Sequence, residues 1–348
     1  MKSLIRGLSD VAQLWSTLDT YPLRDDAVRS TLSAPNHFTS EAIMYAIDQQ
    51  MNAINEATII HWLNDRVPNC KHQVGVINAG NIPLVGLQDL LAVILCGHAY
   101  MGVLSKKSPY LIPAFCETIN QQGFDLDVRF VEMDEIWKQA ESLIATGSDA
   151  SIAQIQGIAK SHGILREKSL FRSNRFGIAI LDGDESEDEW SDLALDILLH
   201  EGMGCRNVAL IFAPTDLEPD RCLHHLAQTR AVFPAHPTTS GRLAIQQAYL
   251  DATNQPHAYG EGLEFLLSKG AAEPQSPGHV RWVEYQSLDE VIAIINGLIN
   301  QIQCILASPT ATRTLPKDWN VEPLGSTQTP ELSWKPDGKD TIDFLCNL

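Results

Sequence analysis

The stretch Val74-Gly75-Val76-Ile77-Asn78-Ala79-Gly80-Asn81-Ile82-Pro83-Leu84 decides the fold of this chain. It opens as a short apolar run of the length of a buried strand, ends in small residues, and passes through Pro83 into an apolar helical stretch that reaches Leu95. Strand, tight turn and helix form the implied unit, and the unit recurs. Residues 99–104 read as a second strand, 108–120 as a second helix and 128–131 as a third strand. Such alternation with short connections predicts an α/β fold built on a parallel sheet covered on both faces.

Upstream, residues 4–50 carry helical periodicity broken at Pro22 and Pro35, and Thr39-Ser40-Glu41 reads as a helix start. Downstream, Ala145-Thr146-Gly147-Ser148 precedes a further helix and then the apolar run Phe176-Gly177-Ile178-Ala179-Ile180-Leu181. That run closes in Asp182-Gly183-Asp184-Glu185-Ser186, and the acidic stretch 183–192 is the expected boundary between two lobes. The expected division is a first lobe over 1–187, a second over 188–320, and a segment 321–348 that returns to the lobe interface.

Composition narrows the function classes. A formal net charge of −18 on 348 residues opposes a nucleic-acid phosphate track or an anionic membrane surface, both of which need a local excess of Lys and Arg. The apolar stretches fall far below the roughly 20 residues of a bilayer span. The start of the chain meets polar and acidic residues before any signal-type core, so a cytoplasmic location is expected. Seven cysteines without a Cys-x-x-Cys pair fit a reducing compartment and supply no zinc spacing, so no metal is expected.

One cysteine stands in a distinctive setting, His200-Glu201-Gly202-Met203-Gly204-Cys205-Arg206-Asn207-Val208. A glycine-rich turn ahead of a strand can present a thiol as nucleophile, and the backbone N–H of that same residue can donate to the oxyanion of an attacked carbonyl. A guanidinium beside it, Arg206, would favour the thiolate. The alternative is a small buried hydrophobe, as many cysteines are. The other six cysteines lack the glycine setting; Cys96 and Cys304 lie in runs that read as apolar helices. Asn81 stands where a parallel strand hands over to a helix, the end of the strand where α/β sheets bind ligands, and its neutral amide suits an oxyanion donor as well as a simple turn. The loop after Leu181 offers Asp182 and Glu185 as candidates for activating water, and for Glu185 the plainer reading is a solvated acidic loop. The adjacent pair His224-His225 points in different directions on a helix and makes a poor metal site, and His200 reads as a core or interface histidine.

Together these segments resemble the acyl-CoA reductase family, the fatty-acyl reductases of bacterial luminescence type within the aldehyde-dehydrogenase superfamily. Asn36-His37-Phe38-Thr39 is similar to the family's Asn-Pro-x-Phe-Thr with one position missing, and Ala79-Gly80-Asn81-Ile82-Pro83-Leu84 to its Ala-Gly-Asn-Ile-Pro motif. Thr146-Gly147-Ser148 resembles the Thr-Gly-Ser turn beside the nicotinamide, and Gly202-Met203-Gly204-Cys205 the nucleophile segment. Leu324-Gly325-Ser326-Thr327 and Asp337-Gly338-Lys339-Asp340-Thr341-Ile342 resemble the closing motifs.

The resemblance implies an aldehyde-dehydrogenase-like fold, with a Rossmann-like nicotinamide-binding lobe and an α/β catalytic lobe. It implies Cys205 as nucleophile and Asn81 as oxyanion donor, with Gly147, Ser148, Ser105 and Glu322 toward the cofactor, NADPH or NADH. The activity implied is reduction of an acyl-CoA, or another acyl thioester, to an aldehyde. The same residues would serve a CoA-acylating aldehyde dehydrogenase working oxidatively, or persist in a catalytically weakened scaffold subunit; a homo-oligomer or a partner enzyme fits either. Val103 departs from the pattern, because it falls where many relatives carry a lysine toward the cofactor ribose.

Overall fold

The computed structural model describes residues 2–68 and 70–348. Four helices open the chain: α1 (Lys2–Thr17), α2 (Pro22–Leu32), α3 (Ser40–Ala53) and α4 (Glu56–Leu63). Strands and helices then alternate as β1 (Gln73–Ile77), α5 (Leu87–Leu95), β2 (Ala99–Val103), α6 (Leu111–Gln121), β3 (Val128–Phe130), α7 (Met133–Gln139), β4 (Ser142–Thr146), α8 (Asp149–Ser161) and β5 (Ser169–Arg172). The second half runs β6 (Phe176–Ile180), α9 (Glu187–Leu198), β7 (Val208–Pro214), α10 (Asp220–Val232), α11 (Thr239–Ala252), β8 (His257–Tyr259), β9 (Leu266–Lys269) and β10 (His279–Tyr285). It ends with α12 (Leu288–Leu298), β11 (Ile302–Ala307), α13 (Pro309–Thr312), β12 (Val321–Glu322) and α14 (Thr341–Cys346).

Two compact units divide the chain. The first contains the stretch up to Asn36, Ile43–Asn174 and Glu331–Leu348; the second contains His37–Ala42 and Arg175–Pro330. In the first unit five strands pair in parallel in the order β3-β2-β1-β4-β5. The central strand β1 is buried from Val74 to Ile77, which is why it reads as a continuous apolar run rather than an alternating one. Helix α6 begins at Leu111 rather than near residue 108, because the ring of Pro109 disfavours helical geometry at Ser108. The closing segment belongs to this unit through buried polar contacts. Arg172 donates to both oxygens of Asp89 at 2.8 and 2.7 Å and to Thr341 Oγ1 at 2.6 Å. The Asp337 carboxylate accepts from Ser173 N at 3.1 Å.

Seven strands form the sheet of the second unit, in the order β12-β11-β6-β7-β10-β9-β8. Only the edge pair β8 and β9 is antiparallel. Both faces are covered, as the alternation along β6 shows: Ala179 and Leu181 pack with Leu193, Ile197 and Leu226, whereas Ile178 and Ile180 pack with Val291 and Ile295. The acidic stretch after β6 is the start of α9. Ser186 caps that helix and Glu189 reaches back to Ser186 N at 2.8 Å, and Glu187, Asp188 and Glu189 face the positive end of the helix dipole. Cys304 corrects an expectation: it lies on strand β11 rather than on a helix. A six-residue apolar run has no period that separates the two. Among the described residues no helix is long and apolar enough to cross a membrane.

Candidate active site

Strand order places the ligand-binding edge of the first unit. The chain leaves β1 for β2 on one side and later returns to add β4 on the other, so the order reverses between β1 and β4. In open parallel sheets the crevice at the carboxyl ends of such a strand pair is where ligands bind. Asn81 follows β1, Ser105 follows β2, and Gly147 and Ser148 follow β4, so all four site residues expected in this unit lie at that edge. Asn78 organises the loop that carries Asn81. Its amide donates to Tyr100 Oη at 3.0 Å and Val103 O at 3.2 Å, and Tyr100 is fully buried. Ser105 lies against Gly80, where a Cβ would meet Ser105 Oγ at 2.1 Å. Ser148 caps α8 by accepting from Ser151 N at 3.2 Å. Val103 sits on the same face of β2 as Met101 and packs on the cluster of Ile77, Leu143, Ile152 and Phe171.

In the second unit Cys205 precedes β7. It is one of three cysteines that are not buried, together with Cys70 and Cys346. Burial pushes the thiols of Cys116 and Cys222 up to about 12, and those of Cys96 and Cys304 up as well. These four are poor nucleophiles at neutral pH. The structure therefore keeps Cys205 in the class of accessible thiols and makes the buried ones structural.

The backbone before Cys205 is unusual. His200, Glu201 and Gly202 have φ of 55°, 58° and 69°, three consecutive left-handed residues. For the two that are not glycine this costs roughly 1–2 kcal/mol each. Gly202 is required for a second reason, since a Cβ there would meet the backbone nitrogen of Gly278 at 2.7 Å. After the kink, Asn207 gathers the turn: its Oδ1 accepts from Gly204 N at 2.8 Å, and its amide donates to the carbonyls of Asp196 at 2.8 Å and Leu199 at 3.0 Å. His200 is buried, and burial pulls its pKa down to about 4, so the imidazole is neutral. The core reading of this histidine therefore fits its surroundings.

Arg206 does not stand as a lone cation beside the thiol. It donates to Glu322 Oε2 at 2.5 Å and Oε1 at 3.3 Å, to Thr327 O at 2.7 Å and to Ser326 O at 3.2 Å. Glu322, expected toward the cofactor, is thus brought together with the residue that follows Cys205. The loop after Glu322 is held by buried Asp196, which accepts from Gly325 N at 2.6 Å, Thr327 N at 3.1 Å and Thr327 Oγ1 at 2.5 Å. Burial raises the Asp196 carboxyl to about 6. Sequence reading missed Asp196 and Asn207. Their signal was weak: an acidic residue on the apolar side of a helix, and an asparagine next to a strand.

Asp182 and Glu185 are removed from this chemistry. Gly177 at the start of β6 pairs with Val208, so Cys205 lies at the amino edge of the sheet, whereas Asp182 and Glu185 follow the carboxyl end of β6. Five residues of strand separate the edges by roughly 16 Å. Glu185 is also no solvated loop residue. It is 2% exposed and accepts from Asp182 N at 2.8 Å and Gly183 N at 3.1 Å. His225 is occupied structurally, by Glu187 at 2.9 Å and Ser191 at 3.0 Å.

No protein-family model matches the chain, and no curated protein does. Solved structures do. An oxidoreductase from Marinobacter aquaeolei is similar over 99% of this chain and 84% of its own, with a TM-score of 0.72 and 13% identity. An aldehyde dehydrogenase from Bacillus cereus, solved as its NAD+ complex, is similar over 92% and 74%, with a TM-score of 0.68 and 13% identity. A succinic semialdehyde dehydrogenase from Streptococcus pyogenes in complex with NADP+ is similar over 92% and 80%, with a TM-score of 0.64 and 13% identity. At such identities the likeness concerns the fold, and it agrees with the two parallel α/β sheets: the chain has the aldehyde-dehydrogenase-like α/β fold.

Proposed function

We propose that this chain is a nicotinamide-dependent acyl-CoA reductase that forms a thioester on Cys205 and releases an aldehyde. The observation that carries the reading is the contrast within the second unit. An accessible cysteine sits on a strained glycine turn at one sheet edge, while the acidic loop that could have activated a deacylating water sits at the other. A reductase needs no such water. Glu201, the carboxylate closest to Cys205 in sequence, is buried and bonded to Arg230.

The residues at the switch point of the first sheet fit a nicotinamide dinucleotide. A Cβ on Gly147 would stand in ordinary van der Waals contact with Ser151 Cβ at 3.4 Å and Ile152 Cδ1 at 3.8 Å, so this turn lies directly against the first turn of α8, whose N-terminal amides suit a phosphate. Ser105, Gly147 and Ser148 would hold the cofactor there. A bound nicotinamide supplies the hydride that takes the thioester to the aldehyde level. The chain's own residues do the rest. The Cys205 thiolate attacks the acyl carbonyl, the Cys205 N–H and the Asn81 amide donate to the oxyanion, and the carbon–sulfur bond to coenzyme A breaks. After reduction, collapse of the thiohemiacetal returns the sulfur to Cys205 and releases aldehyde.

The test is incubation with a panel of acyl-CoAs and intact-mass measurement, with and without NADPH or NADH. An acyl adduct that forms on the wild type, is absent from Cys205→Ala, and disappears as aldehyde forms on addition of reduced cofactor is the expected result. Adduct formation on Cys205→Ala would reject the assignment.

A further inference from the structure

Three consecutive left-handed residues persist only where the surroundings over-determine them, and here one side chain of the turn itself is clamped by its surroundings. Glu201, the middle residue, is 3% exposed. Its carboxylate accepts from Arg230 Nη1 at 2.9 Å and Nη2 at 3.3 Å, from Thr239 Oγ1, and from His236 N at 3.3 Å. These donors come from α10, from the connection after it and from the first turn of α11, so the kink is fastened to three separate pieces of the unit. Arg230 is itself buried at 8% exposure and also donates to Phe233 O at 3.4 Å.

The kink is joined to the nucleophile by a short rigid path. Met203 N donates to His200 O at 3.0 Å, Gly204 N to Asn207 Oδ1 at 2.8 Å, and Asn207 N to Gly204 O at 3.1 Å. Cys205 lies inside that last closed turn. Only Gly202 and Met203 therefore separate residue 201 from the closed turn that holds Cys205.

We propose that Glu201, clamped by Arg230 and Thr239, is a positioning residue that sets the direction of the Cys205 thiol. The proposal rests on Cys205 being the nucleophile. Glu201 does not act as a base, because both its oxygens are taken by donors. Its work is to hold the turn left-handed, so that the sulfur stands where an acyl carbonyl can meet it.

The experiment uses the full chain with Glu201→Gln, Thr239→Val and Arg230→Lys. Alkylation of Cys205 by iodoacetamide is followed by peptide mass across a pH series, alongside the rate of acyl-adduct formation from an acyl-CoA and a melting curve. Expected is a loss of acylation rate on the order of tenfold to a hundredfold in Glu201→Gln, with a displaced pH midpoint for alkylation. Thr239→Val should show a smaller loss, and Arg230→Lys, which keeps the charge without the planar fork, should fall between wild type and Glu201→Gln. Acylation rates and pH profiles that superimpose on wild type, with only a lowered melting point, overturn the proposal. If Glu201→Gln does not fold, the Thr239→Val profile decides by the same criterion. A wild type that takes no acyl group from any acyl-CoA, with a variant whose alkylation profile still shifts, rejects the reductase reading and keeps the positioning role.

Discussion

The guanidinium of Arg206 is clasped by the carboxylate of Glu322, Nη2 to Oε2 at 2.5 Å and Nη1 to Oε1 at 3.3 Å, so the residue directly after Cys205 is tied to strand β12. Arg206 is nearly buried and Glu322 about one-fifth exposed. Removing one member of such a pair leaves the other charge poorly compensated. Glu322→Gln keeps the shape and leaves Arg206 its bonds to the carbonyls of Thr327 and Ser326, so the expected loss is about 1–3 kcal/mol of stability. Urea unfolding measures it, and a variant as stable as wild type would show that the pair contributes nothing net.

Asn81 yields a kinetic prediction. A donor to an oxyanion acts in the transition state and hardly at all on the bound thioester, so Asn81→Ala should lower turnover by on the order of a hundredfold to a thousandfold and leave acyl-CoA binding nearly unchanged. The converse pattern, a large rise in the binding constant at unchanged turnover, would make Asn81 a residue that places the substrate.

Much of this was legible in the sequence, for reasons that lie in particular residues. Val74 to Ile77 read as a buried strand because both faces of β1 are covered, and Gly202 marked the turn because a Cβ there would collide with the backbone of Gly278. The charged partners were not legible. Nothing local links Glu201 to Arg230 or Arg206 to Glu322, which lie 29 and 116 residues apart. Nor does a run such as Asp182-Gly183-Asp184-Glu185 disclose that its last carboxylate folds back onto the backbone amides of Asp182 and Gly183. Pairing at a distance becomes visible only once the sheet order has brought the ends together.

Val103 tests where the cofactor lies. Its side chain packs beside Met101 at the carboxyl end of β2, and a lysine there could lay its stem on the same surface while the ammonium reaches past the strand end. Val103→Lys should tighten NADPH binding by roughly tenfold through a charge-assisted contact, and NADH binding less. A small fall in melting temperature should accompany it, as packing is lost. Calorimetric titration with both cofactors provides the check; unchanged affinities with a lowered melting point would remove this strand end from the cofactor.

Stability against acid should depend on two buried histidines. Burial lowers both His200 and His279 to about 4, against an ordinary value near 6.5 in the unfolded chain. The sign follows from which state binds the proton. Above about 6.5 both states are neutral at these positions and the full stability is present; between about 6.5 and 4 the unfolded chain takes up protons that the folded chain refuses, so stability falls with pH. Each histidine contributes about 3 kcal/mol to that loss. Asp196 works in the opposite direction, because its folded value of about 6 lies above that of an unfolded aspartate, so its contribution is present at low pH and lost as pH rises. The difference between variants isolates each term. His279→Gln, whose amide can still meet Ser268 Oγ, the partner of His279 Nε2 at 2.7 Å, should lose about 3 kcal/mol less than wild type on acidification through this window. Asp196→Asn should lose more than wild type. Urea midpoints across the pH series decide the matter, and a His279→Gln curve parallel to wild type would mean that the imidazole is protonated in the folded chain.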